Sequence, residues 1–204
     1  MVFIDDLAFG LFSIGFAGML LFYTIASMYL VYRNKKKDYH DHLKAAHVPM
    51  MLVGLYMVVL GFFGQATWPL PGSYNILFFD PLVAFGLVVL AFALSIRYNV
   101  RLEYAGFLGL MVGAMVIVYG VQGYAIGLTS EPIALLGMYG CFGIAGLFSY
   151  PVAMIADRLP GLQKRPWLGW HVMLLIFGVF LLLASLLSFY VGASAVAGHL
   201  VTAP

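Results

Sequence analysis

The sequence predicts an all-α integral membrane protein with six transmembrane helices. Three observations carry this prediction. Apolar residues make up 64% of the 204, only 9% are charged, and the charges fall in clusters that leave six long charge-free runs. The mean hydropathy of +1.02 lies far above that of a soluble domain. About 20 apolar residues cross a bilayer as a helix, so the runs give spans at 7–32, 47–66, 79–97, 104–128, 131–156 and 167–192, within a single domain over residues 1–204.

The chain starts "MVFIDDLAFG", which lacks the basic stretch of a secretory signal, so the first helix is expected to be retained. Span two stops before "WPLPGSYN", whose Pro-Leu-Pro-Gly suits a rigid turn and whose Trp68 and Tyr74 suit the membrane interface. Spans three and five open on an acid followed by proline, Asp80-Pro81 and Glu131-Pro132. An acid at a helix start accepts from first-turn amides and proline is favoured at the first helical position, so both pairs read first as caps. Pro151 in "FSYPVAM" is expected to kink span five. The single cysteine, Cys141, excludes an intrachain disulfide and reads as a small apolar residue. Gln65 and Gln122 are the only amides within the spans and read as glue between helices. Span six ends in the small-residue tail "GASAVAGHLVTAP", which carries His199.

All ten Lys and Arg fall on one side of this arrangement: five between helices 1 and 2, two between 3 and 4, and three between 5 and 6. By the positive-inside rule that side is the cytoplasm, which places the chain in the plasma membrane with both termini outside. The outer side then carries Asp5, Asp6, Asp80 and Glu131 and no basic side chain.

Helices 2 and 6 align without a gap from His47 and His171. Small residues recur at the same offsets, Gly54, Gly61 and Gly64 in one and Gly178, Ser185 and Ser188 in the other. Helix 4 repeats the spacing with Gly106, Gly113, Gly120 and Gly123. Two helical turns take about 7.2 residues, so such a stripe stays on one face. "LAFGLFSIGF" from Leu7 and "VAFGLVVLAF" from Val83 echo each other in the odd helices, with a weaker third copy around Gly137. Three pseudo-repeated hairpins, 2-3, 4-5 and 6-1, account for both patterns. Helix 5 adds Gly137, Gly140, Gly143 and Gly146 at every third position.

His47 and His171 are expected at similar depth near the cytoplasmic ends of their helices. Two such imidazoles suit axial ligation of a haem b iron, with the glycines leaving room for the porphyrin, and both also suit the headgroup region. They are the candidate cofactor-binding and metal-ligating residues. The stretch "DYHDHLKAAH" from Asp38 to His47 also holds His40 and His42, and its His-x-His with two aspartates is compatible with a weak divalent site. Lys35, Lys36, Lys37 and Lys44 oppose a cation there, so the stretch reads as a solvated loop that anchors topology on anionic lipid. Asp80 and Glu131 form a candidate acidic site on the outer face, which His199 could join.

"TWPLPGSYNILFFDP", "RLEYAGFLGL", "TSEPIALL" and "FSYPV" resemble an uncharacterised prokaryotic family of six-span membrane proteins, a domain of unknown function. The resemblance runs from about residue 45 to 195; it implies the six-helix architecture and transfers no ligand or catalytic residue. The sequence contains no dinucleotide fingerprint, phosphate-binding loop, zinc-protease motif or nucleophile elbow, and names no catalytic residue. Three functions stay open. The first is a haem b or quinol-associated membrane subunit of a respiratory or redox complex. The second is a channel or transporter for a small solute or ion, lined by Asp80, Glu131 and Tyr or Gln side chains. The third is a non-catalytic accessory subunit. Lipids, other membrane subunits or further copies of the chain are the expected partners, and nucleic acid is not.

Overall fold

Each predicted span is a helix. The computed structural model describes residues 5–33, 40–158 and 168–201. Among them are α1 (Asp6–Arg33), α2 (His40–Thr67), α3 (Tyr74–Tyr98), α4 (Glu103–Ala125), α5 (Pro132–Arg158) and α6 (Leu168–Val201), with no strand. All six are long and apolar enough to cross a membrane, and the chain is a polytopic membrane protein.

Four boundaries differ from the sequence expectation, each for a local reason. α2 starts at His40 rather than 47, because nothing in "HDHLKAAH" interrupts a helix and Leu, Lys and Ala favour one. Residues 34–39 of the basic stretch, and the side chains of His40, Asp41 and His42 that the divalent-site reading used, lie outside the described residues. α3 starts at Tyr74, directly after the Gly72 turn at φ 54°, so Asp80-Pro81 sits two turns inside the helix and does not cap it. α4 ends at Ala125. Gly127, at φ 59°, lets the Leu128 amide donate back to the Gly123 carbonyl at 3.1 Å, and this left-handed turn stops the helix. α6 runs on through its alanine-rich end to Val201, which makes His199 a helical residue rather than part of a tail.

The helices close into a ring in chain order, each packed on the next and α6 on α1, with α1 also touching α3. α5 makes no close backbone approach to α1 or α3. Side chains span that gap: the Phe85 and Phe142 rings lie 5.0 Å apart between α3 and α5. The spans of α1 and α3 are the most buried, while α2, α4 and α6 turn large apolar side chains such as Leu52, Phe62, Met111, Leu175 and Leu186 outward, where lipid receives them. Because the helices alternate in direction, one end of the bundle gathers Asp5, Asp6, Glu131 and His199, and the other gathers Lys44, Arg101 and Asp157. We call these the acidic and the basic end. The described parts of the chain begin and finish at the acidic end, where Asp5 and His199 pair at 2.9 Å.

Each small-residue stripe faces the odd helix that follows it in the ring. Gly61 and Gly64 of α2 lie against Val83 and Phe79 of α3, Gly120 of α4 against Tyr139 of α5, and Ser185 of α6 against Gly18 of α1. The Ser188 hydroxyl donates to the Leu11 carbonyl at 2.6 Å, tying α6 to α1. The closest approach is α4 on α5. A methyl group added at Gly113 meets the Gly143 carbonyl oxygen at 2.8 Å and the Gly146 Cα at 2.8 Å, both backbone atoms. The every-third glycines of α5 drift around that helix by about 60° per step. Gly143 and Gly146 therefore meet α4, Gly137 meets Leu187 of α6, and Gly140 meets nothing within 4 Å.

At the basic end a carboxylate from another helix caps α4: Asp157 of α5 accepts from the Leu102 and Glu103 amides, both at 2.9 Å. This contrast between glycines yields a first prediction. Gly113→Ala forces backbone apart and costs about 1–3 kcal/mol, read as a lower Tm of the detergent-purified protein. Gly140→Ala leaves the Tm unchanged or raises it.

Candidate functional site

The acidic end opens into a vestibule of about 890 Å³, bounded by the start of α1, the end of α2, the loop before α3, the loop before α5 and the end of α6. Asp5 caps α1, accepting from the Ala8 amide at 3.0 Å through one carboxylate oxygen while the other meets His199. Asp6 is only 8% exposed, and its Oδ1 has no hydrogen-bond partner. Thr129, in the loop before α5, likewise has a buried hydroxyl without a partner. Glu131 completes the acidic lining, and Leu11, Phe78 and Leu135 close the floor. Asn75 holds the rim. Fully buried, it donates to the Gly64 carbonyl at 3.0 Å and accepts from the Leu70 amide at 3.3 Å, pinning the Pro-rich loop against α2.

Further voids run from the vestibule towards the basic end, each sharing lining residues with the next. A void of about 10 Å³ shares Asp6, Leu11 and Phe78 with the vestibule and Ile14 with a central cavity of about 50 Å³. The central cavity lies in the gap between α3 and α5, beside Phe85 and Phe142, and its walls are almost wholly apolar. It shares Leu21, Phe92, Ser149 and Phe177 with a cavity of about 40 Å³, which in turn shares Leu43, Ile96, Leu102 and Ala156 with a pocket of about 220 Å³ at the basic end.

Asp80 stands apart from the vestibule lining. It is half-buried among α2, α3 and α4, accepting from Gln65 Nε2 at 2.8 Å and from the Tyr119 hydroxyl at 2.8 Å. Gln65 thus does act between helices, while Gln122 is exposed. Pro81 has a consequence that reading it as part of a cap concealed. Proline has no N–H, so the Leu77 carbonyl one turn earlier loses its helical donor. The fully buried Tyr139 supplies one, its hydroxyl donating across from α5 to that carbonyl at 2.6 Å.

A family model described as Protein of unknown function (DUF981) matches residues 1–202. The chain belongs to this family. No curated protein and no solved structure gives a significant match.

In this DUF981 chain His47 and His171 stand on helices that make no close backbone contact, with α1 packed on both. His47 is half-buried and its Nδ1 pairs with the Lys44 carbonyl one turn back. His171 has a buried Nδ1 without a partner, and its ring lies edge-on to Tyr29 at 5.8 Å and tilted against Trp170 at 5.1 Å. Glu131 and His199 both reach the vestibule, whereas Asp80 does not. Sequence reasoning counted Asp6 only as a charge and passed over Thr129, Tyr119 and Tyr139. Of these, Tyr139 had a legible signal in the carbonyl that Pro81 leaves open.

Tyr139→Phe is expected to destabilise the protein by about 1–2 kcal/mol, since a buried carbonyl loses its donor. Pro81→Ala restores an amide for Leu77. The double variant should therefore recover most of the loss, and a double-mutant cycle on Tm in detergent measures the coupling.

Proposed function

We propose that this membrane protein is a pathway for a small solute that crosses the bundle along its axis. The reading rests on the run of cavities from the acidic vestibule to the basic-end pocket, each sharing side chains with its neighbour. Both end pockets have room for solute and water, and the middle is narrow and apolar. The void at Leu11, Ile14 and Phe78, about 10 Å³, holds no more than one water. This is the arrangement of a closed apolar constriction, which gates by excluding water until side chains or helices shift. α3 and α5, joined across the gap by rings rather than by backbone contact, are the elements whose separation sets the width of the central cavity. Asp80, with Gln65 and Tyr119, then acts from the side as a polar lock among α2, α3 and α4.

The test is stopped-flow measurement of proteoliposomes challenged with gradients of small neutral and ammonium solutes. Wild-type vesicles should pass at least one solute faster than empty ones. Ile14→Trp, which fills the throat, should return the rate to that of empty vesicles, and Phe78→Ala should raise it by about tenfold, equivalent to ~1.4 kcal/mol of barrier. Rates equal to those of empty vesicles for every solute, or insensitive to Ile14→Trp, sink the reading.

One observation favours a second reading: the buried, unpartnered Nδ1 of His171 leaves that imidazole available to haem b, although α1 stands between its helix and that of His47, the partner ligand the sequence suggested. With the axial pathway as the function, dithionite-reduced protein from haem-replete cells has no b-type absorbance. Such a spectrum, lost in His47→Ala or His171→Ala, replaces the pathway with electron transfer.

A further inference from the structure

We propose that the vestibule is a binding site for a primary ammonium group, carried by a free organic amine or by an aminophospholipid headgroup. The inference deepens the axial-pathway reading and rests on it for the onward route of the ligand, while the site stands on separate observations. The first is Asp6. A carboxylate more than nine-tenths buried with an unpartnered oxygen is costly unless it takes up a proton or a donor or positive charge reaches it, and its neighbour Asp5 makes a cation the better answer to the local charge. Asp6 lines both the vestibule and the void beneath it, so the residue stands where the two meet.

The second observation is that no described Lys or Arg brings such a charge. Every described Lys and Arg lies toward the basic end, and the one cationic candidate nearby, His199, is already engaged with Asp5. Asp5 and Glu131 add further negative charge at the same mouth. The third is Thr129, whose buried hydroxyl oxygen offers a second unpartnered acceptor on the same cavity. An ammonium group has three N–H donors and one positive charge, and so supplies the kind of partner that each of these acceptors lacks.

The walls favour an organic cation over a metal ion. No three acidic, His or Cys side chains among the described residues converge to hold a metal. Phe63, Tyr74 and Phe78 line the vestibule instead, with the Tyr74 and Phe78 rings stacked at 6.1 Å. Aromatic faces attract ammonium groups and accept apolar chains alike. The volume of about 890 Å³ falls within the range of small-molecule sites, about 300–1,000 Å³.

The test is calorimetric titration of the full-length protein in detergent with phenethylammonium chloride, alongside sodium chloride and sodium phenylbutyrate. Saturable binding of phenethylammonium tighter than about 1 mM is expected, with none of the other two salts. Asp6→Asn and Thr129→Val should each weaken it by about tenfold or more. Thr129→Val keeps shape and charge, so it decides the matter if Asp6→Asn elutes as aggregate. The titration repeated in nanodiscs of two zwitterionic lipids separates the sources: amine binding weaker in phosphatidylethanolamine than in phosphatidylcholine marks the primary-ammonium headgroup as ligand, and equal binding marks the free amine. Absence of saturable binding by the wild type, or equal affinity in wild type and both variants, overturns the site. Amine binding without solute flux overturns the pathway and keeps the site; flux of another solute without amine binding does the reverse.

Discussion

Close approach of helix backbones through small residues is the constraint on which the rest of this structure depends. In a bilayer, apolar burial gives helices little reason to prefer one another over lipid tails, so association falls to van der Waals contact and to hydrogen bonds between helices. Gly113 against Gly143 and Gly146 brings α4 and α5 so near that backbone meets backbone. Gly61 and Gly64 do the same for α2 against the side chains of α3, and Ser185 and Ser188 for α6 against α1. Since each even helix spends its small-residue face on the next odd one, its opposite face is free to carry the bulky residues that lipid covers. The ring order, the apolar exterior and the position of the central gap all follow from that choice.

Six helices were legible in the sequence because the signal is large: long charge-free runs punctuated by charge clusters leave little freedom. The small-residue stripes were legible too, as a spacing, and their partners were not, since spacing says that a face is narrow without saying what it meets. Asp80-Pro81 shows where local rules misled. The pair has the chemistry of a helix start, yet Tyr74 to Phe79 offers nothing to prevent an earlier start once Gly72 has turned the chain. Tertiary structure then repairs the proline's missing amide with Tyr139. His199 was misplaced for a similar reason, because a Gly and Ala segment reads as a tail until the Asp5 contact is seen to hold its helix end in place.

The candidate site was legible only in part. Glu131 and the uneven distribution of charge pointed to the acidic end, but a vestibule is a property of five segments meeting, and no periodicity encodes it. Asp6 and Thr129 matter because of what they fail to touch, a fact that no residue type or spacing conveys. The two histidines, prominent in the sequence for their matched positions, stand on helices separated by α1, and each sits in its own surroundings.

The packing is also uneven in a way that bears on motion. α4 and α5 form the most intimate pair, yet α4 meets α3 sparsely and α5 reaches the inner helices α1 and α3 only through side chains such as Tyr139 and the Phe85 and Phe142 rings. A movement of this pair as one body would keep the glycine contacts inside it, but would have to repack the face of α5 against α6 and shift the Tyr139–Leu77 and Tyr119–Asp80 hydrogen bonds to α3. The seam between α3 and α5, where no backbones pack closely, is also where the central cavity lies, so loose packing and internal space coincide.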